Sequence, residues 1–331
     1  MQTRQFGRTG WQIAEIGMGT WPIGSAWGPV KESEALAALH AALDGGVNFI
    51  DTADVYGDHA SELLIAQVLK ERKAVGKTAP IVGTKIGRRL PEQRAALFTY
   101  ANLAPFVEDS LKSLSVDALD LVLLHCPPIE TYYRPDVFEA MDRLAREGKI
   151  RFHGVSVEKV EEGLKALEYP GVAAVQIVFN MFRQRPADLF FERALARQVA
   201  IISRVPLASG LLAGKFKADT KFDASDHRQF NRHGEAFDVG ETFAGVPYEM
   251  GLAAVEEIRP LVPAGATMAQ MALRWILMHE AVSVVIPGAM NPDEAHMNIA
   301  AAALAPLSPE TMAQIRSIYE KRIKPAVHQR W

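Results

Sequence analysis

Short apolar runs rich in β-branched residues alternate along this chain with longer amphipathic segments. The apolar runs predict eight strands, at residues 16–19, 48–52, 81–85, 121–125, 153–157, 174–179, 201–205 and 282–286. The segments between them predict helices at residues 32–44, 61–70, 104–114, 135–147, 160–167, 187–197 and 268–279. Because near-continuous apolar strands are separated by helices, the pattern favours a parallel sheet covered on both faces.

The number of strand–helix units predicts how the sheet is arranged. Eight units favour a (β/α)8 TIM barrel of the α/β class, which usually takes about 250 residues plus insertions. The alternative, a doubly wound sheet, would carry a GxGxxG turn after its first strand, whereas residues 17–22 read GMGTWP. We therefore expect one barrel domain over residues 1–331, with an N-terminal hairpin turning at Thr9-Gly10 and an extra C-terminal helix at 311–323.

One segment breaks the alternation. Residues 215–246, a long loop after the seventh strand, are polar and show no clear period. A loop of this length in a compact domain is usually functional or mobile. Its arginines Arg228 and Arg232, with Lys215 at its start, have no evident partner in the sequence except phosphate groups. We therefore expect the loop to be mobile without a cofactor and partly ordered by one.

Composition and charge narrow the class of protein. The net charge is −3 and charges of both signs are interspersed, so neither a nucleic acid nor an anionic membrane is indicated as a partner. The single cysteine, Cys126, excludes an internal disulfide framework and fits a reducing compartment. The first residues contain no apolar signal-peptide core, and no apolar stretch reaches the length of a membrane span. These observations predict a soluble, cytoplasmic protein.

Three consecutive predicted strands end in ionisable side chains, namely Asp51, Lys85 and His125, and Tyr56 follows the first of them. Because active sites of barrels lie at the carboxyl ends of the strands, we expect these four side chains to lie together. A tyrosine acts as an acid near neutral pH only if its pKa, about 10 when free, is lowered, as an adjacent ammonium does. The four residues therefore predict a proton-donating site in which Asp51 keeps Lys85 charged and His125 orients a carbonyl oxygen.

These motifs resemble the aldo-keto reductases, in the bacterial group that also includes the potassium-channel β-subunits. The resemblance rests on DTADVYG at 51–57, GTK at 83–85, DLVLLH at 120–125, VPLASGLLAGK at 205–215 and IPGAMNPDEAHMN at 286–298. It implies an NAD(P)-dependent oxidoreductase that interconverts a small-molecule aldehyde or ketone and an alcohol by hydride transfer. Tyr56 would be the general acid or base, Lys85 paired with Asp51 would lower its pKa, and His125 would orient the carbonyl.

The resemblance also implies contacts to a nicotinamide cofactor bound without a Rossmann motif. Ser156 and Gln176 match residues that bind the carboxamide, and Thr20 lies near the nicotinamide ribose. The loop around the pyrophosphate is matched by Pro206, Leu207, Ser209, Gly210, Leu212 and Lys215. The segment that holds the adenosine and its 2′ group is matched by Gly288, Met290, Glu294, Met297 and Asn298.

Three positions depart from the family pattern. Val157 replaces an asparagine that often stands beside the serine, so one carboxamide contact is missing. Arg204 replaces an aromatic side chain that stacks on the nicotinamide, a role that a planar guanidinium can also fill. Met290 and Glu294 stand where many members bind the 2′-phosphate with arginine or another polar group. The positive charge would then come from Lys215, Arg228 or Arg232. We expect NADP as the cofactor, with NAD possible.

Two tryptophans after the first strand, Trp21 and Trp27, are expected to line the substrate pocket with Tyr56 and His125, although Trp21 could equally pack as core. The sequence contains no HExxH, no paired CxxC and no further Asp/His cluster, so no metal site is predicted. A slow-turnover protein that senses the cofactor, like the channel β-subunits, is the alternative function. The sequence leaves the substrate, the direction of reaction and the oligomeric state open.

Overall fold

The computed structural model describes residues 1–24 and 30–331 of the chain. Eight parallel strands form one sheet in chain order: β3 (Met18–Gly19), β4 (Phe49–Asp51), β5 (Ile81–Ile86), β6 (Leu119–His125), β7 (Ile150–Ser156), β8 (Val172–Val178), β9 (Ala200–Arg204) and β10 (Val282–Val285). Parallel bridges from Ile16 to Val285 and from Gly19 to Gly288 join the first of these strands to the last. The sheet therefore closes into a barrel, and the predicted (β/α)8 fold is confirmed.

Before the barrel comes a small antiparallel hairpin of β1 (Thr3–Gln5) and β2 (Gln12–Ala14). Gly10 in its turn has a φ of +80°, a conformation that glycine adopts without steric cost. The hairpin contributes the fully buried Phe6 and Ile13 to the same apolar cluster as inner residues of the barrel strands. This hairpin was predicted, and it closes one end of the barrel.

The helices are α1 (Glu32–Asp44), α2 (Ala60–Ala74), α3 (Tyr100–Leu114), α4 (Pro135–Arg146), α5 (Val160–Ala166), α6 (Phe190–Ala196), α7 (His227–Phe230), α8 (Tyr248–Ile258), α9 (Met268–Leu277), α10 (Pro292–Ala300), α11 (Pro309–Ile318) and α12 (Lys324–Val327). A π-helical turn, Tyr319–Ile323, continues α11, so the extra C-terminal helix is present. Helices α8 and α10 were not predicted from the sequence, although Asn291 and Pro292 form a typical helix start for α10. In the described ranges no helix is both long and apolar enough to cross a membrane.

Strand alternation sets both the barrel core and the position of the polar side chains. Leu121 and Leu123 are fully buried in the inner cluster, and two residues further on the strand ends at His125. Side chains on one face of a strand are two residues apart. At the end of each strand, the next inward-facing side chain is therefore ionisable or an amide instead of apolar. Asp51 follows Phe49 in this way, Gln176 follows Ala174, and Arg204 follows Ile202. The carboxyl ends of the strands thus carry the polar groups.

Candidate active site

Lys85 is the centre of a buried chain of polar contacts. Its Nζ atom donates to Asp51 Oδ2 at 2.7 Å and to the Thr52 carbonyl at 2.8 Å, and it lies 3.2 Å from the Tyr56 hydroxyl. Burial alone would disfavour the ammonium, but the charge of Asp51 and the nearby Tyr56 raise the pKa of Lys85 above its usual value. Lys85 therefore stays charged and is held between the carboxylate and the phenol.

Tyr56 is half-buried at the cleft, and its pKa departs from expectation. Burial raises the pKa of Tyr56 above its usual value, and the charge of Lys85 opposes this rise without overcoming it. Lys85 thus acts in the expected direction, but the expected net lowering of the pKa is not found. At neutral pH the phenol keeps its proton. Because Lys85 donates to the phenol oxygen, that proton is free to point into the cleft.

His125 lies beside this phenol, with the two ring centroids 6.0 Å apart and the rings nearly perpendicular. The imidazole is 3% exposed, and within residues 1–24 and 30–331 its Nδ1 atom has no hydrogen-bond partner. Burial lowers the pKa of His125 well below its usual value, and the charges of Arg88, Lys85 and Arg204 lower it further. The imidazole is therefore neutral at physiological pH and can donate one hydrogen bond without carrying a charge.

Tyr56 and His125 open onto a cleft of about 300 Å³. Most residues that were expected around the substrate and the cofactor line this same cleft: Trp21, Asp51, Gln176, Arg204, Pro206, Leu207, Ser209, Gly210, Lys215, Arg228, Gly288, Met290, Glu294, Met297 and Asn298. Phe216, Thr267 and Ala269 also line it and were not expected. The structure thus brings Asp51, Tyr56, His125 and the two predicted cofactor segments to one cleft, while Lys85 itself is fully buried.

Three expected contact residues do not line the cleft. Thr20 is fully buried, and its hydroxyl donates to the Asp51 carbonyl at 2.8 Å, which ties β3 to β4. Ser156 is 1% exposed, and Leu212 is fully buried in the core. Trp27, expected in the substrate pocket, lies outside the described residues.

The carboxamide of Gln176 is partly committed within the protein. Its Nε2 atom donates to Asp51 Oδ1 at 2.6 Å, so both oxygens of that carboxylate have a donor. The Oε1 atom of Gln176 and the second hydrogen of its Nε2 atom remain for other partners. A partner of this side chain in the cleft can therefore be a donor to Oε1 or an acceptor from Nε2.

The turn at 205–210 has an unusual backbone. Val205, Ala208 and Ser209 have φ angles of +52°, +47° and +53°, which cost free energy for residues with a Cβ and most for a β-branched one. The Ser209 hydroxyl donates to the Glu241 carbonyl at 3.1 Å and accepts from the Phe243 N–H at 3.0 Å. The hydroxyl therefore holds this turn against the 215–246 segment, while the Ala208 and Gly210 N–H groups donate to the carbonyls of Val205 and Leu207 within the turn.

The expectation that the arginines of the 215–246 segment lack partners is wrong. Asp226 caps the start of α7 by accepting from the Arg228 backbone N–H at 2.8 Å, and its carboxylate also pairs with the Arg228 guanidinium. The Arg232 guanidinium lies 5.8 Å from the centre of the Phe222 ring and 5.0 Å from that of Tyr248. Local capping and contacts with aromatic rings satisfy both side chains before any phosphate is bound.

Glu294, expected near the 2′ group of the adenosine ribose, caps its own helix. Its carboxylate accepts from the Met290 N–H at 2.9 Å, and its own N–H donates to Asn291 Oδ1 at 2.9 Å. The two contacts satisfy free N–H groups at the start of α10. Glu294 also lines the cleft, so its carboxylate has a structural role in addition to any contact with a ligand.

Beside His125 lies a group of charged side chains that was not predicted from the sequence. The Arg88 guanidinium donates to Glu241 Oε1, and Arg204 Nη2 lies 2.9 Å from Glu158 Oε2. Burial raises the pKa of Glu158, whereas Arg88 and Arg204 outweigh burial and lower that of Glu241. Arg88 and Glu158 each follow a strand end closely enough to have been suspected. Glu241 lies in the aperiodic segment, where the sequence carries no signal for it.

The chain is similar to known proteins over most of its length. A model of the Aldo/keto reductase family matches residues 15–320. The aldo-keto reductase YhdN of Bacillus subtilis is 30% identical over 305 residues, which cover 89% of this chain and 86% of that protein. The solved structure of a glycerol dehydrogenase from Gluconobacter oxydans is 26% identical, with a TM-score of 0.77, and covers 97% of this chain and 96% of its own.

A further solved structure is similar in fold. It is an aldo/keto reductase from Klebsiella pneumoniae in complex with NADP and acetate, and it is 23% identical with a TM-score of 0.69. The match covers 96% of this chain and 96% of that one. Because the family model spans nearly the whole chain and the barrel carries its polar groups at the expected strand ends, this protein belongs to the aldo/keto reductase family of oxidoreductases.

Proposed function

We propose that this protein is an NADPH-dependent reductase that interconverts an aldehyde or ketone and the corresponding alcohol. The observation that carries the proposal is the chain of contacts from Asp51 through Lys85 to Tyr56, beside a neutral His125. Membership of the aldo/keto reductase family supports the same reaction class. The nicotinamide, when bound, supplies or accepts the hydride.

The protein's own groups manage the proton. In reduction the phenol of Tyr56 gives its proton to the carbonyl oxygen, and Lys85 stabilises the phenolate that remains. His125 is neutral and donates a hydrogen bond that orients the carbonyl oxygen toward Tyr56. In oxidation the phenolate takes the proton of the alcohol. A proton donor placed in this way accelerates reduction by roughly 10²–10⁴-fold.

The cofactor fits the residues that line the cleft. The Oε1 atom of Gln176 can accept from the N–H of a carboxamide, and the Arg204 guanidinium offers a flat face beside it. The turn at 206–210 is proposed to bind the pyrophosphate through the backbone N–H groups of Leu207 and Ser209. Lys215 and Arg228 line the same cleft as Glu294, and their charges favour a 2′-phosphate, hence NADP, with NAD as the alternative. NADP is also bound in the Klebsiella relative.

Titration with NADPH and NADH, followed by steady-state oxidation of the tighter one with a panel of aldehydes, tests the proposal. We expect micromolar or tighter binding of NADPH and a kcat of about 1 s⁻¹ or more with the best aldehyde, since this is an ordinary value for enzymes. Tight NADPH binding with turnover slower by several orders of magnitude would favour the cofactor-sensing alternative. Failure to bind either nucleotide would contradict both functions.

A further inference from the structure

The loop that carries Tyr56 has a strained backbone directly after the tyrosine. Gly57, Asp58 and His59 have φ angles of +64°, +51° and +70°, so three consecutive residues are in the left-handed region. Glycine adopts this conformation without steric cost, whereas Asp58 and His59 adopt it at a cost in free energy. Such a loop keeps one conformation only where the contacts around it offset this cost.

The side chain of His59 holds the end of this loop. Its Nδ1 atom lies 2.6 Å from Glu62 Oε2, and its Nε2 atom is in contact with the Arg89 guanidinium. The tautomer with the proton on Nδ1 satisfies both contacts, because Nδ1 then donates to the carboxylate and Nε2 accepts from the arginine. Arg89 Nη2 also lies 3.2 Å from Asp58 Oδ1. Side-chain contacts therefore hold both strained residues.

Glu62 joins this loop to the strand of Lys85. It is fully buried in the first turn of α2, and its Oε1 atom accepts from the Thr84 hydroxyl at 2.6 Å. Thr84 directly precedes Lys85 in β5. The carboxylate thus has one oxygen on the loop that carries Tyr56 and the other on the strand that carries the ammonium.

The residue before Glu62 fixes the same helix turn on two further strands. The Ser61 N–H donates to the Tyr56 carbonyl at 3.2 Å. The Ser61 hydroxyl donates to Thr20 Oγ1 at 2.7 Å and accepts from the Thr52 hydroxyl at 2.9 Å. Because Thr20 and Thr52 directly follow β3 and β4, the first turn of α2 is held at the ends of these strands, and Glu62 extends the anchoring to β5.

A fully buried carboxylate is destabilising unless its oxygens are paired. Even when it is paired, an apolar side chain of similar size would pack without the cost of removing a charge from water. The carboxylate of Glu62 instead fixes the separation of two elements, because each of its oxygens holds a different one. Catalysis depends on such separations, and a displacement of about 1 Å can lower a rate by about 10²-fold.

We propose that Glu62 is a positioning residue for the proton donor, because its carboxylate sets the distance between the Tyr56 phenol and Lys85. Glu62 acts through His59 and Thr84 and does not itself line the cleft. The proposal rests on the proposed carbonyl reduction. Loosening either end of the bridge should lower kcat and weaken the influence of Lys85 on the phenol, with cofactor affinity unchanged.

Thr84→Val tests the strand end of the bridge, since it removes the hydroxyl at nearly constant size. For the best aldehyde kcat should fall by about tenfold or more, while NADPH affinity stays within about twofold of the wild type. The pH dependence of alcohol oxidation should move to higher pH by roughly 0.5–1 unit, because a more distant ammonium favours the phenolate less. Thr84→Ser keeps a hydroxyl and should restore kcat and the pH profile.

His59→Gly tests the loop end of the bridge. Glycine suits the left-handed backbone, so the variant removes the ring without adding strain. Its kcat and pH profile should change as in Thr84→Val. Glu71→Gln is the matched control, because it alters a similar contact on the exposed face of the same helix, where His40 Nε2 lies 2.8 Å from Glu71 Oε2. This control should keep the wild-type kcat and pH profile.

The outcomes separate this proposal from the proposed function. If Thr84→Val or His59→Gly binds NADPH and keeps the wild-type kcat, the role of Glu62 is overturned and the reductase stands. A lower kcat without a shift of the pH profile also overturns it, since the distance from Lys85 to the phenol is then unchanged. If the wild type reduces no carbonyl compound, the reductase proposal fails and the role of Glu62 fails with it. His59→Gly decides the matter if Thr84→Val does not fold.

Discussion

The Nζ atom of Lys85 lies 3.2 Å from the hydroxyl oxygen of Tyr56. The ammonium is the donor in this contact, so the phenol oxygen accepts and its own proton remains available for another partner. The same charge favours the phenolate electrostatically, although burial still keeps the pKa of Tyr56 raised. One contact thus directs the proton toward the cleft and stabilises the anion that is left after the transfer.

Lys85→Met tests this electrostatic role. The substitution removes the charge that opposes the rise in the pKa of Tyr56, so that pKa should rise further. Alcohol oxidation needs the phenolate, and the pH dependence of its residual kcat/KM should therefore move to higher pH. Lys217→Met, at an exposed lysine, is the control and should keep the wild-type profile. A profile unchanged in Lys85→Met would mean that the lysine does not tune the phenol.

Glu294→Arg tests the proposed position of the 2′ group. A carboxylate repels a 2′-phosphate and an arginine attracts it, so the ratio of NADPH to NADH affinity should rise, at about 1.4 kcal/mol for each tenfold change. The loss of the contact with the Met290 N–H should also lower the free energy of unfolding by about 1 kcal/mol.

Glu294→Gln is the matched control, because it removes the charge but keeps an oxygen acceptor for the Met290 N–H. It should raise the NADPH/NADH ratio less than the arginine does, with little loss of stability. If both variants bind the two nucleotides in the wild-type ratio, residues 286–298 do not contact the 2′ position.

Asp54 should make stability depend on pH. It is fully buried, and neither of its carboxylate oxygens has a hydrogen-bond partner in the described part of the chain. Burial, with a further contribution from the charge of Glu62, raises the pKa of Asp54 from 3.8 to about 7. Because the pKa of Asp54 is raised in the folded state, the stability that the protonated carboxyl contributes is complete below pH 3.8. This contribution is lost as the pH rises to about 7.

Asp54→Asn removes this titration. The free energy of unfolding of Asp54→Asn minus that of the wild type should increase between pH 4 and pH 7, by about 4 kcal/mol at most. Above pH 7 this difference should stay constant. Denaturant unfolding of both proteins across this pH range measures it. A difference that is constant with pH would show that Asp54 titrates alike in the folded and unfolded states.

The 215–246 segment should be protected from hydrogen exchange around Asn231 even without a cofactor. The buried Asn231 side chain accepts from the N–H groups of Ala236 and Phe237 at 2.8 and 3.0 Å, and donates to Thr242 Oγ1 at 3.1 Å. Asn231→Ala leaves these groups unpaired, so their exchange should accelerate. Gln229→Ala, at an exposed position, should leave it unchanged. Rapid exchange of Ala236 and Phe237 in the wild type would restore the view of a mobile loop.

The strand ends could be predicted from the sequence because alternation along a strand is a local rule. The inner residues Leu121 and Leu123 lead directly to His125, and the same rule leads to Asp51 and Lys85. The partner of Arg228 was also local, since Asp226 is two residues away, but a phosphate role was assigned to the arginine instead.

Other features depend on contacts that no local pattern carries. Glu241 reaches Arg88 across 153 positions of the chain, and the segment around it has no period that fixes which side chains face inward. The raised pKa of Tyr56 follows from burial first, and the extent of burial is a property of the closed barrel. The bond from Gln176 to Asp51 spans 125 positions and takes one of the two amide hydrogens of Gln176.

Tyr56→Phe is the most direct test of the proposed mechanism, because it removes the proton donor and keeps the ring. NADPH affinity should stay within about twofold of the wild type, while kcat for the best aldehyde should fall by roughly 10²–10⁴-fold. Tyr133→Phe, at a tyrosine that is 64% exposed, should keep the wild-type kcat. A Tyr56→Phe variant that binds NADPH and reduces the aldehyde with near wild-type kcat would contradict the assignment of Tyr56 as the proton donor.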